Sequence, residues 1–199
     1  AEPIADPDQA YCLSGTLDDS LVVGFLVPVT PVDLSTPNTI ETIELIGLSL
    51  DGVPVNGDPP SVVDGPGGMG GMGGPAGGNI PALDPCGGHP DPAGYYHWHF
   101  SAPSTNLVLD AYGIDEVSCA NVAQQDSGLV GWAKDGYPIY APRAEDGSVP
   151  SGLDECNGTF GPTTEFPDGI YHYYALETQA PNLPACVKGA SPVDAYWIE

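Results

Sequence analysis

Proline and glycine leave almost no stretch of this chain free to wind into a long helix. There are 27 Gly and 23 Pro among 199 residues, about a quarter of the sequence. Inside a helix, Gly is about 1 kcal/mol and Pro about 3 kcal/mol worse than Ala, and Pro also removes a backbone donor. Apolar residues still make up 41% of the chain, with ten Tyr and three Trp, enough to build a core. The expectation is a mostly β, loop-rich domain. Residues 65–78 (GPGGMGGMGGPAGG) are of low complexity and read as a flexible loop. Residues 1–10, acidic and Pro-containing, read as an extended tail, with one domain over 11–199.

Strands are expected at Leu21–Val29, Thr39–Leu50, Tyr95–Phe100, Asn106–Asp110, Leu129–Ala133, Tyr137–Ala141 and Ile170–Leu176. Asp51-Gly52 and Asp135-Gly136 each follow an apolar run, a strong hairpin signal because such turns need positive φ. Three landmarks then recur in the same order. Asp51-Gly52-Val53-Pro54-Val55 matches Asp135-Gly136-Tyr137-Pro138-Ile139. Asp84-Pro85-Cys86-Gly87-Gly88 matches Asp154-Glu155-Cys156-Asn157-Gly158. Gly94-Tyr95-Tyr96-His97-Trp98 matches Gly169-Ile170-Tyr171-His172-Tyr173. The Gly-rich run supplies the extra length of the first half. The fold class that follows is an internally duplicated, pseudo-symmetric β-sandwich or barrel-like domain, with halves of about 40–110 and 125–190.

The 27 acidic residues face only Lys134, Arg143 and Lys188, a formal charge of −24. Nucleic acid and anionic membranes require a basic footprint to neutralise phosphates, so neither is an expected partner. No run of 18 apolar residues is present to span a bilayer. The chain starts at Ala1, as expected of a mature chain after removal of a signal peptide. Five widely spaced Cys (12, 86, 119, 156, 186) suit two disulfides and a spare thiol in a secreted protein, and spacing does not choose the pairing. Asn157-Gly158-Thr159 is a sequon for a glycan. Localisation is therefore expected to be extracellular or cell-surface.

The chemistry concentrates in four histidines, at 89, 97, 99 and 172. On a strand, residues i and i+2 share a face, so His97 and His99 point together and away from Tyr96, Trp98 and Phe100. His172 occupies the repeat equivalent of His97, and His89 lies nearby in a Gly/Pro loop. Neutral imidazole suits both copper and zinc, so the candidate ligands are His97, His99 and His172, with His89 as a fourth. The plainer alternative is four imidazoles hydrogen-bonded among tyrosines. Cys86 and Cys156 read as disulfide partners rather than ligands.

Taken together, Cys-Gly-Gly-His-Pro and Gly-Tyr-Tyr-His-Trp-His within 86–99, Gly-Trp-Ala-Lys-Asp-Gly-Tyr-Pro-Ile-Tyr-Ala-Pro at 131–142, Leu-Asp-Glu-Cys-Asn-Gly at 153–158 and Pro-Asp-Gly-Ile-Tyr-His-Tyr-Tyr at 167–174 form a recognisable pattern. The chain from about 40 to 190 resembles the YHYH-domain family, secreted or surface proteins named for a Tyr-His-Tyr-His signature. The resemblance implies a domain type and a His-rich site. Its signature falls on Tyr96, His97, Trp98 and His99, with Trp in place of the second Tyr. The second copy ends in Tyr174 rather than His.

The leading functional expectation is an extracellular metal-binding protein, with copper ahead of zinc. A structural or filament-forming surface protein is the first alternative, with the N-terminal tail adding a strand to a neighbour. A metal-dependent hydrolase or oxidase is the second, although Gly-x-Ser-x-Gly, His-Glu-x-x-His and Walker motifs are all absent. Calcium is conceivable at acidic loops such as Asp6/Asp8 and Asp18-Asp19, but without EF-hand spacing.

Overall fold

The computed structural model describes residues 17–40, 45–57, 83–90, 93–193 and 196–199. The expected tail at 1–10, Cys12, Asp6/Asp8 and the Gly-rich run at 65–78 lie outside the described residues.

The domain is mostly β, with twelve short strands and one α-helix among the described residues. The strands are β1 (Val23–Phe25), β2 (Asp33–Thr39), β3 (Leu45–Ser49), β4 (Pro54–Asn56), β5 (Gly88–Pro90) and β6 (Tyr96–Trp98). After helix α1 (Thr105–Ala111) come β7 (Leu129–Ala133), β8 (Pro138–Tyr140), β9 (Gly158–Gly161), β10 (Ile170–Tyr174), β11 (Cys186–Gly189) and β12 (Tyr196–Ile198). Eight strands form one sheet in the order β5-β6-β4-β3-β7-β8-β10-β9. Antiparallel pairs β1–β12 and β2–β11 complete the sandwich-like architecture. The large sheet ends at β5 and β9, so it is open and not a barrel.

Its order reads the same outward from the central β3–β7 pair. Both Asp-Gly turns form antiparallel hairpins, with Gly52 at φ 79° and Gly136 at φ 91°. Ser49 N donates to Val53 O at 3.0 Å, and Ala133 N donates to Tyr137 O at 2.9 Å. Next out, β4 runs parallel to β6 and β8 parallel to β10. The outermost pairs, β5–β6 and β9–β10, are antiparallel. At the centre Gly47 pairs with Ala133, Leu48 with Trp132 and Ser49 with Gly131. That register is self-complementary, because Gly47 and Ser49 occupy the places in their hairpin that Gly131 and Ala133 occupy in theirs. Each half has its own apolar cluster: Ile46, Val55 and Trp98 with Cys86–Cys119, and Val130, Ile139 and Tyr173 with Cys156–Cys186.

The five-residue strand expected at 106–110 is instead helix α1. Its buried residues are Thr105, Val108 and Leu109, an i, i+3, i+4 set that one helical face can bury together. A strand would send Val108 and Leu109 to opposite faces. Pro103 is the second residue of the preceding 3-10 turn (Ala102–Ser104), where its fixed φ and missing N–H are harmless. The expected strand over 21–29 shortens to Val23–Phe25. Within 39–50, β2 ends at Thr39 and β3 begins at Leu45.

Two disulfides close the frame, Cys86–Cys119 and Cys156–Cys186, with Cα separations of 4.6 and 4.7 Å. They span 33 and 30 residues. Loop closure of that length is worth about 3–4 kcal/mol each in the chain-entropy account.

Candidate metal centre

The β5–β6 hairpin sits at one edge of the sheet, and its register decides the site. His89 lies directly opposite His97, so their side chains share a face. His99 follows two residues after His97 and keeps that face, anchored by its backbone N–H donating to Gly87 O at 2.7 Å. The three imidazoles are 8%, 3% and 0% exposed at 89, 97 and 99. His99 Nε2 lies 3.1 Å from His89 Nε2 and 3.0 Å from His97 Nε2. One ligand nitrogen from each of the three falls within 4.8 Å of the others.

Protonation follows from burial. Desolvation, reinforced by the His99 and His89 rings, pushes His97 down to about 3. Desolvation also pushes His99 down to about 4, against a hydrogen bond to the Gly57 carbonyl that favours the proton. At neutral pH these rings are therefore uncharged and offer lone pairs. His99 Nδ1 lies 2.5 Å from Gly57 O. A carbonyl only accepts, so this contact fixes the proton on Nδ1 and leaves Nε2 bare, the tautomer a metal ligand needs. His97 Nδ1 is buried without a hydrogen-bond partner. With His99 Nε2 as acceptor, the trio can satisfy itself by hydrogen bonding only in part. A cation taking all three Nε2 lone pairs fits the donor set better.

A carboxylate holds the hairpin in shape. Asp84 Oδ1 accepts from the backbone N–H of Cys86 at 2.9 Å and Gly88 at 3.1 Å. Asp84 Oδ2 accepts from the Tyr96 hydroxyl at 2.5 Å. Burial and the adjacent Asp84 charge push the Tyr96 hydroxyl well above the usual phenol range, so it stays a donor. Gly88 is required here, because a Cβ would collide with the Tyr96 hydroxyl.

The second half reproduces this scaffold. Asp154 Oδ1 accepts from Cys156 N at 3.0 Å and Gly158 N at 3.1 Å, and the Tyr171 hydroxyl donates to Asp154. A Cβ on Gly158 would collide with that hydroxyl. Thr159 pairs with His172 as His89 pairs with His97. Tyr174 N donates to Asn157 O at 2.9 Å, as His99 N does to Gly87 O.

The structure thus brings together His89, His97 and His99 and does not bring His172 to them. His172 lies on β10, five strand positions from β6, or about 24 Å along the sheet at 4.8 Å per strand. Its Nδ1 lies 3.0 Å from Ile170 O, its Nε2 lies 3.3 Å from the Tyr174 hydroxyl, and its ring packs edge-on against Tyr140. Burial lowers its proton affinity as well. The reason is symmetry: equivalent residues far from a two-fold axis end up on opposite flanks.

The model of the YHYH protein family matches residues 24–151 and 143–189. The chain belongs to the YHYH family. No curated protein and no solved structure matched it. Among the described residues, the three-histidine group is the cluster of His, Cys, Asp and Glu able to hold an ion in this YHYH domain. Of the acidic loops considered for calcium, Asp18-Asp19 is within the described residues, and Asp18 accepts from Ser20 N and Oγ. Asn157, the sequon residue, donates its amide inward to Gln179 Oε1 at 3.2 Å and Leu183 O at 3.3 Å. A glycan at that nitrogen would displace both contacts.

The Gly57 carbonyl was not foreseen, since nothing in Asn56-Gly57 marks a histidine partner. The central place of His89 was also missed. Its signal was the β5–β6 register, which requires knowing that Gly88–Pro90 is a strand.

Proposed function

We propose that this YHYH protein is an extracellular metal-binding protein that holds copper through His89, His97 and His99. The observation that carries this reading is the grouping of three buried imidazoles, one nitrogen of each lying within 4.8 Å of the others. His99 Nε2 lies 3.1 Å from His89 Nε2 and 3.0 Å from His97 Nε2, separations that two metal–nitrogen bonds of about 2.0–2.1 Å can span. Neutral imidazole suits both copper and zinc, and the divalent affinity order places copper ahead. The extracellular assignment rests on two disulfides, which persist in oxidising compartments. We read the mirrored strand order as the product of a duplication in which one copy kept the ligands.

The test is reconstitution of metal-free protein with Cu(II), Cu(I) and Zn(II), followed by elemental analysis after desalting. One copper per chain is expected, with nitrogen hyperfine structure from imidazole in the Cu(II) spectrum. Equal or preferred retention of zinc would sink the copper assignment. Retention of no metal would sink the whole reading.

A further inference from the structure

At the far end of the sheet from the His89, His97 and His99 cluster, β9, β10, β2 and β11 surround an open cleft of about 520 Å³, within the usual size range of small-ligand sites. Its lining includes Asp33, Tyr137, Asp154, Phe160, Tyr171 and Lys188. Two tyrosine–carboxylate pairs face it. Tyr137 donates to Asp33 Oδ1 at 2.6 Å, and Tyr171 donates to Asp154 Oδ2 at 2.9 Å. Lys188 Nζ lies 3.3 Å from Asp154 Oδ2 and 4.9 Å from the centre of the Tyr171 ring.

The chemistry of this wall is selective. Asp154 already receives two backbone N–H groups, a hydroxyl and an ammonium, so its acceptor capacity is nearly filled. Asp33 keeps lone pairs, and Lys188 keeps two of its three donors. An acceptor and a donor thus stand side by side, with two carboxylates against one ammonium. That balance repels phosphates and other anions. It gives a cation only Asp33, whose charge is already shared with a tyrosine. Phe160 on edge strand β9 adds an apolar ring that is 72% exposed. A ligand that both donates and accepts through hydroxyls, and that carries one apolar C–H face, matches all of these features.

We propose that the cleft binds a neutral carbohydrate, with a sugar ring lying on Phe160 and its hydroxyls bonded to Asp33 and Lys188. The site is separate from the histidine centre and does not depend on metal.

Isothermal titration with cellohexaose, chitohexaose and maltohexaose tests this, with spermidine and inorganic phosphate as charged comparators. At least one oligosaccharide is expected to bind. Phe160→Ala and Asp33→Asn should each weaken it about tenfold or more, while chelation of metal leaves it unchanged. Phe160 is exposed, so its truncation is not expected to disturb the fold. Should Asp33→Asn melt early, Phe160→Ala decides alone. The proposal is overturned if no oligosaccharide binds, if binding survives Phe160→Ala unchanged, or if spermidine or phosphate binds more tightly than every sugar.

Discussion

The two flanks of the sheet share a backbone and differ in chemistry. Asp84 and Asp154 tie down the same turn, Gly88 and Gly158 make room for the same tyrosine, and a disulfide closes each loop. His97 and His172 occupy the same place. What differs is their company: His89 and His99 on one flank, Thr159 and Tyr174 on the other. Two substitutions on a common frame separate a three-nitrogen cluster from an imidazole packed among hydroxyls. The frame is built by the carboxylate lock and the cores, and the site is a coat of side chains laid over it.

The largest expected effect comes from converting one flank into the other. Replacing His89→Thr with His99→Tyr should leave the fold intact and abolish tight copper binding. Removing outer-shell partners alone weakens metal binding by 10–100-fold, so losing two of the three proposed ligands should weaken it by about 10³-fold or more. The reverse pair, Thr159→His with Tyr174→His, should raise copper stoichiometry from one to two per chain if the frame alone dictates the geometry. Elemental analysis reads both outcomes. Unchanged copper in the first variant would break the comparison.

Acid sharpens the same contrast. In the unfolded chain these imidazoles take protons near pH 6.5. In the folded protein His97 and His99 take them only near 3 and 4. Between those limits the unfolded state binds more protons. The stability of the metal-free protein is then fully present above about pH 6.5 and is lost as pH falls toward 4. Denaturant midpoints measured under chelation should fall steadily across that window. The His89→Thr, His99→Tyr variant should show a shallower fall. Identical pH profiles for the two proteins would mean that the buried trio does not set acid stability.

Much of this was legible in the sequence, and the failures have physical causes. The Asp-Gly turns and the recurring landmarks placed both hairpins, because turn chemistry is local. The i, i+2 spacing placed His97 and His99 on one face for the same reason. His89 needed a cross-strand register, which spacing alone does not supply. His172 was expected beside its repeat equivalent, yet the axis runs between Leu48 and Trp132, so only residues near those two can meet across it. Helix α1 was mistaken for a strand because two turns are too short for apolar periodicity to separate the two forms. Cysteine spacing could not choose the partners, which are set by where β5 and β9 begin.

The smallest expected effect asks whether frame and site are separable at all. Asp84→Ala and Asp154→Ala each strip the partner from two backbone N–H groups and a tyrosine hydroxyl. Leaving such groups unsatisfied costs about 2 kcal/mol where they are partly buried. The losses should be similar, because the hydrogen-bond patterns are. Asp154 also holds Lys188 at 3.3 Å, with side chains 25% and 30% exposed, and this single partly solvated ion pair adds little. Burial alone would raise the Asp154 pKa, yet the N–H groups of Cys156 and Gly158, the Tyr171 hydroxyl and Lys188 together hold it below the ordinary carboxylate range. Its contribution is therefore present at neutral pH and fades only in strong acid. Copper affinity should divide the two variants. Asp84 fixes Gly88 and Tyr96, the neighbours of His89 and His97, so its loss loosens the ligands and should weaken copper about 10-fold, in the manner of an outer-shell partner. Asp154 supports only the flank without the trio, and its loss should leave copper binding as it was. Equal weakening in both would show that the flanks are coupled through the shared sheet.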